Sequence, residues 1–183
     1  MNILVVSDDH FFSCGIHEIL KDEGINCVSK NIEWVSRINI RSMAASCDLV
    51  IIDITSTINL EGLFPLAEGV TNILFIVDIQ PAFIADSRYF ISKRSSGYDF
   101  LIKINKYIEL KIPHVRNIEL KILHLSTAGH NRLSILSLLN ITEKSFYRMR
   151  YNLVYKFGFL RYHPLMVSYC EVISIFLKAE KYQ

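Results

Sequence analysis

The chain opens on a short β-branched apolar run, Asn2 to Ser7, of the kind carried by a strand buried on both faces. In the next stretch Phe12, Ile16, Ile19 and Leu20 recur at helical spacing, up to Gly24. The alternation then repeats. Ile25 to Lys30 reads as a second, weaker strand and Glu33 to Ser46 as a helix. Cys47 to Ile54 is the strongest strand in the chain, and a short helix over Leu60 to Glu68 follows. Thr71 to Ile79 is a fourth strand, Pro81 to Lys93 a helix, and Tyr98 to Lys103 a fifth strand. Residues 104–112 supply a last helix, which Pro113 breaks. This order predicts βαβ units with right-handed crossovers. The fold class is α/β: a doubly wound, parallel, five-stranded sheet covered on both faces.

Beyond about residue 112 the pattern becomes helical throughout. In Asn131 to Asn140, Leu133, Leu136 and Leu139, with Ile135 beside them, mark an inward face. Asn140 suits a C-terminal turn because Asn tolerates a left-handed backbone. Thr142 is placed to N-cap the next helix. There Phe146, Met149, Leu153 and Phe157 form an inward stripe, and Gly158 closes the helix. The outward side carries Lys144, Tyr147, Arg148, Tyr151, Asn152, Tyr155 and Lys156. Cationic, aromatic and amide groups together suit phosphates and base edges. A plain helical hairpin with a wet basic face is the bland reading. After Pro164 the chain is helical again, with Leu165, Val167, Tyr169, Val172, Ile173 and Phe176 apolar.

Charge divides the chain in the same place. Residues 1–110 hold 9 Lys+Arg against 14 Asp+Glu, net −5, and residues 111–183 hold 11 against 4, net +7. A basic module behind an acidic one fits a polyanion partner for the second half. The domains expected are 1–111, acidic α/β, and 112–183, basic and all-α, joined with little slack. No apolar run reaches the roughly 18 residues of a membrane span. No secretory pattern opens the chain, so a cytoplasmic location is expected. Cys14, Cys27, Cys47 and Cys170 lack metal-like spacing and read as reduced, buried thiols. The six His residues are scattered and no Ser/His/Asp set stands out, which argues against an enzyme.

Candidate chemistry in the first half follows from topology. In a doubly wound sheet the carboxyl ends of the strands form one ligand-binding rim. Asp8, Asp9, Asp53 and Lys103 all fall at predicted strand ends there. Three close carboxylates call for a divalent cation such as Mg²⁺, and a carboxylate beside a metal can accept a phosphoryl group. The bland alternative is that each acid caps a loop.

Two resemblances sharpen this picture. Glu119 to Gly158 runs without a gap along the pattern of the LuxR/NarL-type helix-turn-helix of bacterial transcription regulators. Glu119, Ile122, Leu123, Leu125, Gly129, Ile135, Leu139, Ile141, Thr142, Ser145, Asn152, Lys156 and Gly158 fall on it. Lys121, Leu136, Asn140 and Met149 depart from it. Residues 2–111, through NILVVSDDHFFSCGIHEIL, DLVIIDI and GYDFLIK, resemble the receiver (flavodoxin-like) domain of response regulators. These resemblances imply a bacterial DNA-binding transcription regulator with a four-helix DNA-binding domain. Base edges would be read by Tyr147, Arg148 and Tyr151. Phosphates would be held by Lys144, Ser145, Arg150, Asn152 and Lys156. In the receiver they imply Asp8 and Asp9 as the metal-holding pair, Asp53 as phosphoacceptor, Lys103 as the pocket lysine and Phe100 as the switch aromatic. Val77 stands where the family has Thr or Ser, and Asp78 follows it. A methyl group cannot donate the bond that reads a phosphoryl group. The expectation is therefore an atypical receiver working without phosphorylation, with no cofactor required beyond Mg²⁺ in the acidic pocket. Duplex DNA is the expected partner, bound by a homodimer or by a heterodimer with another LuxR-type regulator. Two alternatives stay open: a conventional switch phosphorylated at Asp53 by a histidine kinase, and a partner-binding co-regulator with weak DNA contact.

Overall fold

A computed structural model describes residues 1–32, 40–55, 70, 72–85, 87–109 and 114–161. The strands are β1 (Asn2–Ser7), β2 (Asn26–Asn31), β3 (Leu49–Asp53), β4 (Ile73–Val77) and β5 (Phe90–Ser92). Every pairing is parallel and the order is β2-β1-β3-β4-β5, the doubly wound sheet expected. Helices α1 (His10–Asp22), α2 (Ile40–Ala45) and α3 (Gly97–Lys106) belong to this half. Three more follow: α4 (Asn117–Thr127), α5 (Arg132–Leu139) and α6 (Glu143–Lys156). The helices expected over Leu60 to Glu68 and after Pro164, and most of that over Glu33 to Ser46, lie outside the described residues.

Strand side chains alternate between two cores, as the period of two requires. Ile3, Val5, Leu49, Ile51, Leu74 and Ile76 point to one face and pack with Ile16 and Leu20 of α1 and Phe100 and Ile104 of α3. Leu4, Val6, Val50, Ile52, Phe75 and Val77 point to the other. That second core also contains Val115, Leu120, Leu123, Leu153, Val154, Phe157 and Phe159, so the C-terminal helices roof one face of the sheet. A smaller core of Ile122, Ile135, Phe146 and Met149 lies among those helices.

The fifth strand is displaced from its expected place. Tyr98 to Lys103 lies within helix α3, and the strand is the three-residue Phe90–Ser92. Ser96 explains the helix: its hydroxyl accepts from the Asp99 amide (3.1 Å), an N-cap. Phe100 and Ile104, four apart, then face the core. Pro81 to Lys93 is accordingly not a helix. Among its described residues it holds one 3₁₀ turn, Pro81–Phe83, before the chain extends. Residues 104–112 give only the end of α3 and a 3₁₀ turn at Tyr107–Glu109 within their described part. Leu133 is 69% exposed, not inward; Ile135 is the buried residue of α5. Cys14 is likewise exposed, not buried.

Candidate functional site

The acidic rim forms where β1 and β3 end side by side, with Ser7 paired to Asp53. Asp53 is 1% exposed. Its carboxylate receives the Ser7 hydroxyl at 2.8 Å and the Lys93 ammonium at 3.0 and 3.1 Å. Burial pushes its pKa up, against the pull of Ser7 and Lys93. Asp9 N-caps α1 by accepting from the Phe12 amide (3.0 Å) and meets Lys93 at 2.8 Å. Lys93 above all, then that amide, hold its pKa below the ordinary carboxylate value. Burial works against the charge on Lys93, but its hydrogen bonds to Asp9 and Asp53 outweigh it and raise its pKa. Asp8 turns aside to accept from the Thr55 amide (3.0 Å) and hydroxyl (3.1 Å).

The lysine of this pocket is therefore Lys93, not Lys103. Lys103 sits on α3 and its ammonium donates to the Ser87 carbonyl. Phe100 is buried on the inward face of α3. The aromatic three residues before the pocket lysine is Phe90, whose ring lies 5.9 Å from that of Phe75 and 4.5 Å from that of Phe159. Aromatic-x-x-Lys occurs twice, at Phe90 to Lys93 and at Phe100 to Lys103. The Ser96 cap was the signal that assigns the second copy to a helix.

Val77 is buried at the end of β4, as expected, and its carbonyl accepts from the Lys93 amide (2.9 Å). The three acids do reach one rim. As arranged, however, they do not fit a divalent cation. An ammonium stands between Asp9 and Asp53, and Asp8 is turned to Thr55. Among the described residues no three His, Cys, Asp or Glu side chains converge as metal ligands.

The second candidate surface is α6. Asn140 takes the left-handed conformation (φ 49°, ψ 51°) at the end of α5. The Thr142 hydroxyl then caps α6 by accepting from the Ser145 amide at 3.2 Å. Phe146, Met149, Leu153 and Val154 are buried. Lys144, Tyr147, Arg148, Tyr151, Asn152 and Tyr155 are exposed in one stripe, the three tyrosines at 50%, 55% and 60%. The sheet half does not cover this stripe.

Three expected phosphate-holding residues sit differently. Ser145 is half-buried in the cap. Arg150 lies over the Phe146 ring, 5.3 Å from its centroid. Lys156 reaches back 2.7 Å to Glu119, which is 1% exposed. Burial alone would raise the Glu119 pKa. The Arg116 guanidinium (2.7 Å), Lys156 and the Arg116 amide (2.9 Å) together bring it down to about 2. Lys156 thus ties the end of α6 to the start of α4. Arg132 of α5, absent from the expected set, reaches Glu143 at 2.6 Å and the Tyr147 hydroxyl at 3.0 Å.

No family model and no curated protein matches the chain. Twenty-one chains of solved structures do. One is a complex of the two-component response regulator RcsB with DNA, at 16% identity and TM-score 0.44, covering 96% of this chain and 98% of that one. Another is full-length FixJ from B. japonicum, at 14% and 0.42, covering 98% and 97%. A third is the response regulator ChrA of a heme-sensing two-component system, at 13% and 0.39, covering 96% and 98%. At TM-scores below 0.5 these likenesses decide nothing about function. The side chains have to.

Proposed function

We propose that the chain is a DNA-binding transcription regulator. The observation that carries this reading is the open, capped helix α6, with Lys144, Tyr147, Arg148, Tyr151, Asn152 and Tyr155 exposed along one side. Inserted in the major groove, that stripe offers Tyr147, Arg148 and Tyr151 to base edges. Lys144 and Asn152 flank them for phosphates. Arg132 fixes the Tyr147 hydroxyl and so limits the rotamers available to its ring. A two-fold dimer, with itself or with a related regulator, would read half-sites about 34–36 Å apart.

Selection of bound duplexes from a genomic library, followed by fluorescence anisotropy, tests this reading. Arg148→Ala is expected to cost roughly 1–3 kcal/mol and relax specificity at one position. Lys144→Ala is expected to weaken all duplexes alike and lower the salt slope by about one. A wild-type chain that ignores DNA even at low salt would overturn the proposal.

For the receiver-like half we propose a role independent of phosphorylation. Val77 carries no hydroxyl at the end of β4, and Lys93 already neutralises Asp53 and Asp9. The competing reading, a conventional switch, is favoured by the buried Asp53 with a lysine at 3.0 Å. Phosphotransfer assays on Asp53 and DNA binding by Asp53→Ala separate the two. Loss of regulation in that variant favours the switch.

A further inference from the structure

We infer that the sheet half positions the reading helix for DNA, with Ser87 and Phe90 as the positioning residues. This rests on the DNA-binding reading above. The connection from β4 to β5 contains one 3₁₀ turn and an extended stretch in its described residues, whereas a parallel crossover usually carries a helix that covers the sheet. The cover for Phe75, Val77, Tyr89 and Phe90 comes from the far end of the chain: Leu153, Phe157 and Phe159 share their core. Two main-chain bonds join the halves there. The Ala85 amide donates to the Gly158 carbonyl at 2.7 Å, and the Leu160 amide to the Phe83 carbonyl at 2.9 Å. They flank an antiparallel bridge between Ile84 and Phe159. The Ser87 hydroxyl donates to the Phe157 carbonyl at 2.6 Å, at the C-terminus of α6. The rings of Phe90 and Phe159 meet at a tilt, with centroids 4.5 Å apart. Gly158 leaves no slack: a Cβ there would stand 2.4 Å from that of Ser87.

Hydrogen bonds between main chains fix direction as well as distance. This set therefore sets the axis of α6 relative to the sheet, not only its proximity. The contact lies at the end of α6, and the outward stripe stays open, so the sheet half presents the helix and does not mask it. Base readout needs the helix at a defined angle in the groove, whereas non-specific attraction to phosphates does not.

The test uses the full-length chain with Ser87→Leu, a wedge in the sheet half. Small-angle scattering should show the halves parting, with helicity kept. Affinity for the duplex that the wild-type chain selects from a random-sequence library should fall about tenfold. Low-salt affinity for unselected duplex should stay within about twofold. A purely structural residue would not split the two affinities. Parted halves with undiminished specific affinity would overturn the inference. If Ser87→Leu loses its helicity, Ser87→Ala decides: a two- to threefold loss confined to the selected duplex is expected, and no loss overturns. A wild-type chain that selects no duplex instead fails the DNA-binding reading itself, before any variant is compared.

Discussion

At the scale of single residues, two lysines and a glutamate carry the clearest consequences. Lys93 neutralises a buried carboxylate, so Lys93→Met leaves Asp53 without its cation and should cost roughly 1–3 kcal/mol in denaturant unfolding. Lys103→Met takes an ammonium from the Ser87 carbonyl but strands no carboxylate there, and should cost less than Lys93→Met. The reverse order would restore Lys103 to the pocket. Glu119 sets an acid limit. Its folded pKa, about 2, lies below the ordinary 4.5, so its ion pairs stabilise the fold above about pH 4.5. That contribution, on the order of 2–3 kcal/mol, is lost as pH falls from about 4.5 to 2. Denaturation midpoints followed against pH should show the decline in the wild type and a flatter profile in Glu119→Gln. Asp53 has the opposite sign: its raised pKa relieves strain on acidification and cannot produce that decline. Sequence reading reached Asp8, Asp9 and Asp53 because the end of a buried strand fixes where its next residue lies. Glu119 is not legible there as an ion-pair centre, because only Arg116 is a local partner (i,i+3) and Lys156 meets it only after α6 has packed on α4.

At the scale of elements, the local signals in α5 and α6 were strong enough to place both ends of the turn between them. Asn140 has positive φ, Thr142 caps, and Gly158 closes, all as their chemistry suggests. Asn140→Ala should cost about 1 kcal/mol, because the polar Asn side chain eases a left-handed backbone and a methyl does not, and Asn140→Gly, with no Cβ to crowd, should cost less than about half of that. Thermal unfolding of the pair checks it; equal losses would mean that the Asn side chain, not the backbone, is the requirement. The region from Val77 to Lys103 was legible only in part. A three-residue strand such as β5 is too short to show a period. Two copies of aromatic-x-x-Lys, ten residues apart, competed for one role. The more apolar copy read as the strand, yet Phe100 and Ile104 share a helix face and Phe90 is the one paired to Phe75. Leu133 misled for a related reason: in a helix as short as α5 the leucine positions suit more than one face, and packing chose Ile135.

At the scale of the whole molecule, charge asymmetry and the change of hydrophobic period mark two halves, but neither reports how the halves meet. The shared core does. Phe75, Tyr89 and Phe90 from one side of the expected boundary pack in one cluster with Leu120, Leu153 and Phe157 from the other. A cluster of that kind couples their unfolding, because neither half can open without exposing apolar surface of its partner. Amide exchange in β1, β3 and β4 reports on the first half, and amide exchange in α4 to α6 on the second. In urea the two signals should trace one transition with a common midpoint. In Ser87→Leu, which pries apart Gly158 and its neighbour, they should separate, the two halves then melting at different denaturant concentrations. Separate transitions already in the wild-type chain would mean that the core is divided, and that the reading helix is tethered to the sheet without being oriented by it.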